Sequence, residues 1–168
     1  MGAGPARPRG LRGLRLRIVA LGHRMPGWVE AGFDDYAKRL PREWKLDVVE
    51  LKPEPRERGK SVGQLLAAEA SRIAAACAGC RAVALDERGA AWSTRDLAAH
   101  LRGWQEDGHD VAFVIGSADG LHADIKAHAA AVVSLSAMTL PHGLARIILV
   151  EQIYRAATLL AGHPYHRD

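Results

Sequence analysis

Cysteine, aromatic residues and long hydrophobic runs are all scarce in this sequence of 168 residues. Two cysteines cannot build a disulfide framework, and a zinc site made of cysteine pairs would need a second pair. No apolar run approaches the roughly 20 residues that a membrane helix requires. The N-terminus lacks the positive-then-apolar segment of a secretory signal, so we expect a cytoplasmic protein with no membrane partner.

The two cysteines stand close together, as Cys77-Ala-Gly-Cys80. A redox pair of the thioredoxin type sits at the start of a helix, where the helix dipole lowers the thiol pKa. This pair falls instead at the predicted end of a helix, just before a strand. Two small buried residues are therefore the favoured interpretation, and redox or metal chemistry is the alternative.

Phosphate-binding and nucleophile motifs are also missing. The Gly-Ser-Ala-Asp-Gly segment at 116–120 is not the dinucleotide fingerprint G-x-G-x-x-G, and no G-x-x-x-x-G-K-[ST] phosphate loop occurs. Ser117 lies one place too early for the nucleophile elbow G-x-S-x-G. Glycines at 116 and 120 would instead let the backbone approach a ligand closely.

Positive charge is in modest excess, with 23 Lys and Arg against 19 Asp and Glu. Such a balance permits a polyanionic partner such as nucleic acid but does not establish one. Residues 1–13 are rich in Gly, Pro and Arg and predict a disordered basic tail. That tail could touch RNA, could reflect a translation start placed too early, or could simply be solvated. Residues 14–168 are expected to form one domain.

Apolar runs alternate with helical patterns along this domain. The runs predict strands at 14–22, 46–51, 81–85, 111–115 and 129–135. Capping residues and 3.6-residue periodicity predict helices at 26–40, 61–79, 93–104, 121–130 and 144–157. The alternation indicates an α/β fold with a mostly parallel sheet and helices on both faces. The charged segment 52–60 predicts no packed structure; it is either a solvated loop or a flap touching phosphate through Arg56, Arg58 and Lys60.

Three loops should converge beyond the carboxyl ends of the strands, at 85–89, 116–120 and 135–143, because ligands of such sheets bind there. The last loop, Leu-Ser-Ala-Met-Thr-Leu-Pro-His-Gly, joins a predicted buried strand to a helix that is apolar almost all round. Exposed main-chain groups beside an apolar wall suit a ligand the size of a nucleoside. An ordinary strand-to-helix connection is the alternative.

The chain ends in His163-Pro-Tyr-His-Arg167 and Asp168, which is unusually rich in aromatic, imidazole and guanidinium groups. These groups could stack on a base and hold a phosphate. Packing of Tyr165 alone could also pin the tail, and the two interpretations are compatible. His163 and His166 have a spacing possible for a metal, but no carboxylate-rich set accompanies them, so we expect no metal.

Together these motifs resemble the RlmH family, within the SPOUT class of methyltransferases, from about Leu16 to Asp168. The family loop commonly has Gly-Pro where this chain has Ser117-Ala118, and a second proline is frequent at Gly143. The Arg-rich N-terminus is not a family feature. The resemblance is carried by 19–29, Phe33, Tyr36, 58–60, Leu85-Asp86, Ile115-Gly116, 135–142, 154–156 and 163–167.

The resemblance implies a SPOUT-type fold with a C-terminal trefoil knot and a homodimer that pairs through the knot helices. It implies N3-methylation of a pseudouridine in 23S ribosomal RNA, on the assembled ribosome, with S-adenosylmethionine as methyl donor. A transfer RNA methyltransferase of the same class and a non-catalytic ribosome-assembly factor are the alternatives. Residues matching the family's donor site are Leu85, Gly116, Leu135, Ser136, Ala137, Met138, Thr139 and Leu140.

Matching the family tail places His166 and Tyr165 near the target base. Arg167 would neutralise phosphate or the developing anion. The N3 proton of pseudouridine must leave, and His166 is the candidate base, although water or hydroxide could take the proton instead. His142 is a second candidate base, unless it only caps the last helix.

Overall fold

The computed structural model describes residues 13–22 and 24–167. The predicted disordered tail therefore lies outside the described residues, except for Gly13, and so does Asp168. The described chain alternates strands with helices, as the sequence pattern predicts. The strands are β1 (Arg15–Leu21), β2 (Lys45–Leu51), β3 (Cys80–Ala91), β4 (Asp110–Ile115) and β5 (Ala131–Ser134). The helices are α1 (Gly27–Ala37), α2 (Val62–Ala76), α3 (Thr94–Asp107), α4 (Ala123–His128) and α5 (His142–Leu160).

The five strands form one sheet in the order β2-β1-β4-β3-β5, and every strand pair is parallel. The apolar runs of β1 and β4 bury consecutive side chains on opposite faces of the sheet. Ile18 and Phe113 enter one core while Val19 and Val114 enter the other. Strands covered on both faces need continuous apolar runs, which is why these segments do not alternate with polar residues.

Helices cover both faces of the sheet, which confirms the predicted α/β class. On one face α5 packs against α1 and α3, and on the other α2 packs against α4. Two of the helices begin at serine capping boxes, at Ser61 and Ser93. In each box the hydroxyl accepts from the backbone N–H three residues later, which satisfies an otherwise orphaned donor. Within the described residues no helix is both long and apolar enough to cross a membrane.

Strand β3 differs from the prediction of a loop at Asp86–Gly89. The strand continues to Ala91, and its register against β5 shifts so that both Leu85 and Ala90 pair with Val133. The excursion between them is possible because Gly89 has no side chain. A Cβ there would lie 2.6 Å from backbone atoms of Val133. The polar residues were expected in a loop because they follow the buried part of the strand. They instead form a bulge between two residues that pair with the edge strand.

The last helix is buried along much of its length. Leu149, Val150, Ile153 and Ala156 are among its buried side chains, as the apolar sequence predicts. The helix starts at His142 and ends at Leu160, longer than expected at both ends. The threading of this helix through an earlier loop, which the family resemblance implies, stays a prediction.

The cysteine pair follows the end of α2. Cys77 is buried and Cys80 is half-buried. Burial, assisted by the neighbouring Cys80, raises the pKa of the Cys77 thiol to about 11. Reactive thiols need the opposite shift, so this environment favours the interpretation of two small packing residues.

Candidate functional site

A cleft of about 880 Å³ opens at the carboxyl ends of the strands. The ends of β1, β3, β4 and β5 contribute to its wall, together with the first turn of α5. All three loops that were expected to converge here line the cleft, at 85–88, at 116–120 and at 135–142. A cleft of this size lies within the range of about 300–1,000 Å³ that small-molecule sites occupy.

The residues expected to hold the methyl donor come together in this cleft. Ala137 belongs to the same loop but does not line the wall. Those that do line it are Leu85, Gly116, Leu135, Ser136, Met138, Thr139 and Leu140.

Short-range hydrogen bonds shape the loop at 135–141. The Ser134 hydroxyl donates to the carbonyl oxygen of Ser136 (2.8 Å), and the Ser136 hydroxyl accepts from the amide of Met138 (2.9 Å). Met138 is 78% exposed at the rim of the cleft. The loop is therefore held by its own serines, as expected for a segment too polar to pack by apolar burial.

A tight turn at 116–120 forms a second wall of the cleft. The Gly120 amide donates to the Ser117 carbonyl (2.9 Å), and Gly120 has a φ of +87°. A Cβ on Gly116 would lie 2.5 Å from the Gly120 carbonyl oxygen and 2.9 Å from a Leu121 side-chain carbon. Both glycines are thus required by the turn itself, one by its φ and the other by close backbone approach.

His142 is the first residue of α5, and its imidazole lines the cleft and packs against Gly22. Burial, reinforced by the Arg146 guanidinium, lowers the pKa of His142 to about 4. The imidazole is therefore neutral at neutral pH. The helix is capped by Pro141 with no side-chain cap hydrogen bond, so His142 does not serve as the cap. Its buried Nε2 has no hydrogen-bond partner within the described part of the chain.

Arg146 lies one turn further along α5 and is only 5% exposed. Its Nη1 donates to Glu50 Oε1 at the end of β2 (2.6 Å). The Nε and Nη2 atoms are buried and have no partner among the described residues. His142 and Arg146 together place unsatisfied polar atoms directly behind the cleft wall.

The charged segment at 52–60, which we call the strap, has no helix or strand but is more strongly attached than a solvated loop. Arg72 of α2 donates to the Lys52 carbonyl and to the Glu54 carboxylate, and Arg56 pairs with Asp119 across the cleft (2.6 Å). The predicted absence of packed structure is confirmed, since residues 55–60 are exposed, but ion pairs attach the segment to the rest of the chain. Intramolecular ion pairs replace the apolar contacts that the strap lacks.

Glu69 of α2 is a cleft residue whose importance the sequence did not reveal. It is 3% exposed and lines the wall between the strap and the 116–120 turn. One carboxylate oxygen accepts from the Glu54 amide (2.9 Å) and the other from the Ser117 hydroxyl (3.0 Å). The available signal was an acidic residue on the apolar stripe of α2, between Leu65 and Ile73.

The C-terminal tail lies on α5 rather than in the cleft. The Tyr165 hydroxyl donates to Glu151 (3.2 Å), and its ring packs on Tyr154 with ring centroids 4.7 Å apart. The Arg155 guanidinium lies 4.7 Å over the same ring and also forms an i,i+4 ion pair with Glu151. Burial and the Glu151 carboxylate raise the pKa of Tyr165, so the phenol stays a hydrogen-bond donor. The expected pinning of the tail by Tyr165 is confirmed.

The three expected catalytic residues, Tyr165, His166 and Arg167, are therefore not part of the cleft wall. Glu151, to which the tail is attached, is nine residues beyond His142, or about 13 Å along a helix. The described residues also contain no group of three or more His, Cys, Asp or Glu side chains that could hold a metal.

Comparison with known proteins agrees with the geometry of the cleft. The family model "Predicted SPOUT methyltransferase" matches residues 14–166. A Burkholderia cenocepacia protein named ribosomal RNA large subunit methyltransferase H is 54% identical over 92% of this chain and 99% of its own length. A protein of the same name from Nitrosospira multiformis is 53% identical with the same coverage.

Solved structures give the same fold. The crystal structure of a "Probable Methyltransferase" from Bordetella pertussis aligns with a TM-score of 0.57 and 19% identity, covering 87% of this chain and 98% of the other. The match of the family model and the high identity to the curated relatives, each over nearly the whole chain, agree with each other. The chain belongs to the SPOUT methyltransferase family and is a methyltransferase whose methyl donor is S-adenosylmethionine.

Proposed function

We propose that this protein methylates N3 of a pseudouridine in the 23S RNA of the large ribosomal subunit. The observation that carries the proposal is the 54% identity to the Burkholderia cenocepacia protein named ribosomal RNA large subunit methyltransferase H, over 99% of that protein's length. The cleft at the strand ends and the base-stacking chemistry of the tail support it. The substrate is a ribosomal component, so we also propose that the enzyme works in the cytoplasm.

The cleft residues fit the methyl donor. Leu85, Leu135 and Leu140 offer apolar surface for an adenine ring, and the glycine turn at 116–120 lets main-chain groups approach polar parts of the ligand. The neutral imidazole of His142 has a buried nitrogen available for a hydrogen bond. When bound, S-adenosylmethionine supplies an electrophilic methyl group on a sulfonium sulfur.

A second subunit would bring the tail to the cleft. The tail is fastened to the middle of α5, whereas the cleft lies at the beginning of the same helix. We propose a homodimer that pairs through α5 with its twofold axis across the helix. A twofold axis perpendicular to α5 makes the two helices antiparallel, so the middle of one α5 can lie near the start of the other. His166, Tyr165 and Arg167 of each subunit would then serve the cleft of its partner.

The tail would then supply what the target base needs. His166 accepts the N3 proton directly or through water, which leaves an electron pair on N3 for attack at the methyl carbon. Tyr165 packs near the base, and Arg167 compensates the negative charge on the base or on a phosphate. Holding the nucleophile in line with the methyl group lowers the activation barrier by up to about 7–11 kcal/mol in favourable systems. Positioning of the base therefore matters more than activation of the methyl group, which is already electrophilic.

The ribosomal context is an implication of the family resemblance. The matched domain of about 150 residues offers little surface of its own for selecting one nucleotide in free RNA. We propose that it binds an assembled surface of the ribosome. Binding to that surface should weaken with salt because it involves phosphate contacts.

Nucleoside mass spectrometry tests the proposed target. Ribosomal RNA from a strain lacking this gene should lack 3-methylpseudouridine, and the wild-type gene should restore it. Purified protein with S-adenosylmethionine should restore it on ribosomes from the same strain. Restoration of the mark only in transfer RNA would instead identify the related class of knotted transfer RNA methyltransferase.

The His166→Ala variant tests the role of the tail. It should bind S-adenosylmethionine as the wild type does in calorimetry but lose most methyl transfer. His128→Ala is the control, because it removes an exposed imidazole that belongs neither to the tail nor to the cleft wall. Undiminished turnover by His166→Ala would remove His166 from the mechanism. No saturable heat with the wild type would favour a non-catalytic assembly factor.

A further inference from the structure

We propose that Glu69 provides the negative charge that holds a cationic group of the methyl donor in the cleft. The inference rests on the proposed donor site and deepens it. It names a recognition element outside the glycine turn and the 135–140 loop, on helix α2 behind the strap. The Glu69 carboxylate would contact one of the two cationic groups of S-adenosylmethionine, the sulfonium or the α-ammonium.

Burial of an ionisable group is the first reason for this assignment. Glu69 is 3% exposed, yet it lies on the apolar stripe of α2 between the buried Leu65 and Ile73. A carboxylate removed from water costs free energy unless a charge or several hydrogen bonds compensate for it. Leu or Met at this position would pack on the sheet without that cost, so the acidic side chain needs a different explanation.

The other acidic groups of the cleft wall are either ion-paired or, as at Glu87, exposed to water, whereas the buried Glu69 has neither form of compensation. Lys126 pairs with Asp86 at 3.1 Å, and Arg56 pairs with Asp119 at 2.6 Å. The Glu54 carboxylate pairs with Lys60 and Arg72. Within the described residues, Glu69 forms no ion pair and has only two neutral donors, the Glu54 amide and the Ser117 hydroxyl.

The two donors do not use all the lone pairs of the Glu69 carboxylate, so it can accept further hydrogen bonds from the cleft. Each carboxylate oxygen accepts one hydrogen bond in the structure and has lone pairs for another. The residue lines the cleft, beside the turn whose glycines allow close approach of a ligand. A cation entering here would complete a charge-assisted contact that the chain itself leaves open.

The donor has the required charge. S-adenosylmethionine carries a sulfonium, an α-ammonium and one carboxylate at neutral pH, whereas its product S-adenosylhomocysteine has a neutral thioether and keeps the amino-acid groups. The nucleoside 5′-methylthioadenosine has neither cation. These three compounds share the adenosine moiety, so they separate a charge contact from a contact to the nucleoside.

Calorimetry with the three compounds on wild type and Glu69→Gln tests the proposal. Glutamine keeps the shape and one acceptor but removes the charge. We expect affinity for S-adenosylmethionine to fall about 10- to 100-fold and affinity for 5′-methylthioadenosine to change by less than about threefold. An accompanying loss for S-adenosylhomocysteine identifies the α-ammonium as the contact. Unchanged affinity for it identifies the sulfonium.

Controls separate charge recognition from support of the strap. Glu57→Gln removes an exposed carboxylate of the strap outside the cleft wall and should leave all three affinities unchanged. Equal losses for all three compounds in Glu69→Gln would show that Glu69 only positions the strap, and unchanged affinity for S-adenosylmethionine would also overturn the proposal. Should the glutamine variant not fold, Glu69→Asp must lower the affinity ratio of S-adenosylmethionine to 5′-methylthioadenosine.

Binding by the wild type distinguishes a failure of the donor site from a failure of the role of Glu69. If wild-type protein gives no saturable heat with S-adenosylmethionine, both the donor site and the role of Glu69 are wrong. If wild type binds and Glu69→Gln binds equally well, only the role of Glu69 is wrong.

Discussion

Arg146→Met should be tolerated far better than Glu50→Gln, although both break the same ion pair. In Glu50→Gln the guanidinium keeps its charge in a place where only 5% of the residue is exposed. Leaving a buried charge without its partner costs about 3–5 kcal/mol when both groups are buried. The Glu50 side chain is 49% exposed, so water can reach this end of the pair, and we expect a loss of about 2 kcal/mol.

In Arg146→Met the accounting differs, because the guanidinium already leaves Nε and Nη2 buried without partners. Each buried donor of this kind costs about 1–3 kcal/mol, and methionine removes both while filling a similar volume with nearly equal helix propensity. The loss of one charge-assisted hydrogen bond offsets part of that gain. We therefore expect unfolding free energies within about 1 kcal/mol of the wild type.

Urea unfolding at one fixed protein concentration measures both variants, and equal m values would show that the unfolding transition is comparable. The same Met variant should raise the pKa of His142, because Arg146 contributes to lowering it. That pKa should stay below 6.5, since burial is the larger cause. Proton NMR of the imidazole reads this directly. A Met variant less stable than Glu50→Gln would refute the reasoning, because Arg146 would then have partners that compensate its burial.

Two further predictions concern the cleft. The unfolding free energy should fall by about 1–2 kcal/mol between pH 7 and pH 4.5, because His142 binds a proton below about pH 6.5 in the unfolded chain but only near pH 4 in the folded state. In urea titrations, His142→Asn should lose this part of the pH dependence. The same pH dependence in His142→Asn and the wild type would contradict the prediction. Gly116→Ala should weaken S-adenosylmethionine binding at least about tenfold in calorimetry, because the added methyl would lie 2.5 Å from the Gly120 carbonyl oxygen and must displace the turn. If the variant binds as tightly as the wild type, the turn adapts to the methyl group and the prediction is wrong.

The architecture was accessible from sequence because the strands that form the centre of the sheet carry unbroken apolar runs. Consecutive residues such as Ile18 and Val19 enter different cores, and only a strand covered on both faces needs that pattern. The excursion in β3 could not be foreseen. Its polar residues lie between two pairings with an edge strand whose position depends on the whole fold.

The site was accessible in part. The three loops were identified because they follow strands, and parallel strands end at one edge. The role of Glu69 depends on partners 15 and 48 residues away in sequence, so no local pattern could reveal its hydrogen bonds. The ion pairs of the strap could not be foreseen for a similar reason, since its charges pair with α2 and with the 116–120 turn. Sequence reasoning foresaw that Tyr165 could pin the tail, but not that the tail lies on α5 away from the cleft.

The excursion in β3 limits which sequences this fold can accept. β5 crosses so close to position 89 that even a methyl group would overlap the main chain of Val132 and Val133. The neighbouring Arg88 is exposed and meets no such barrier. A library randomised at both positions should therefore recover glycine alone at the first and nearly any residue at the second. Sequence variation along this wall of the cleft is thus confined to positions whose side chains point away from β5.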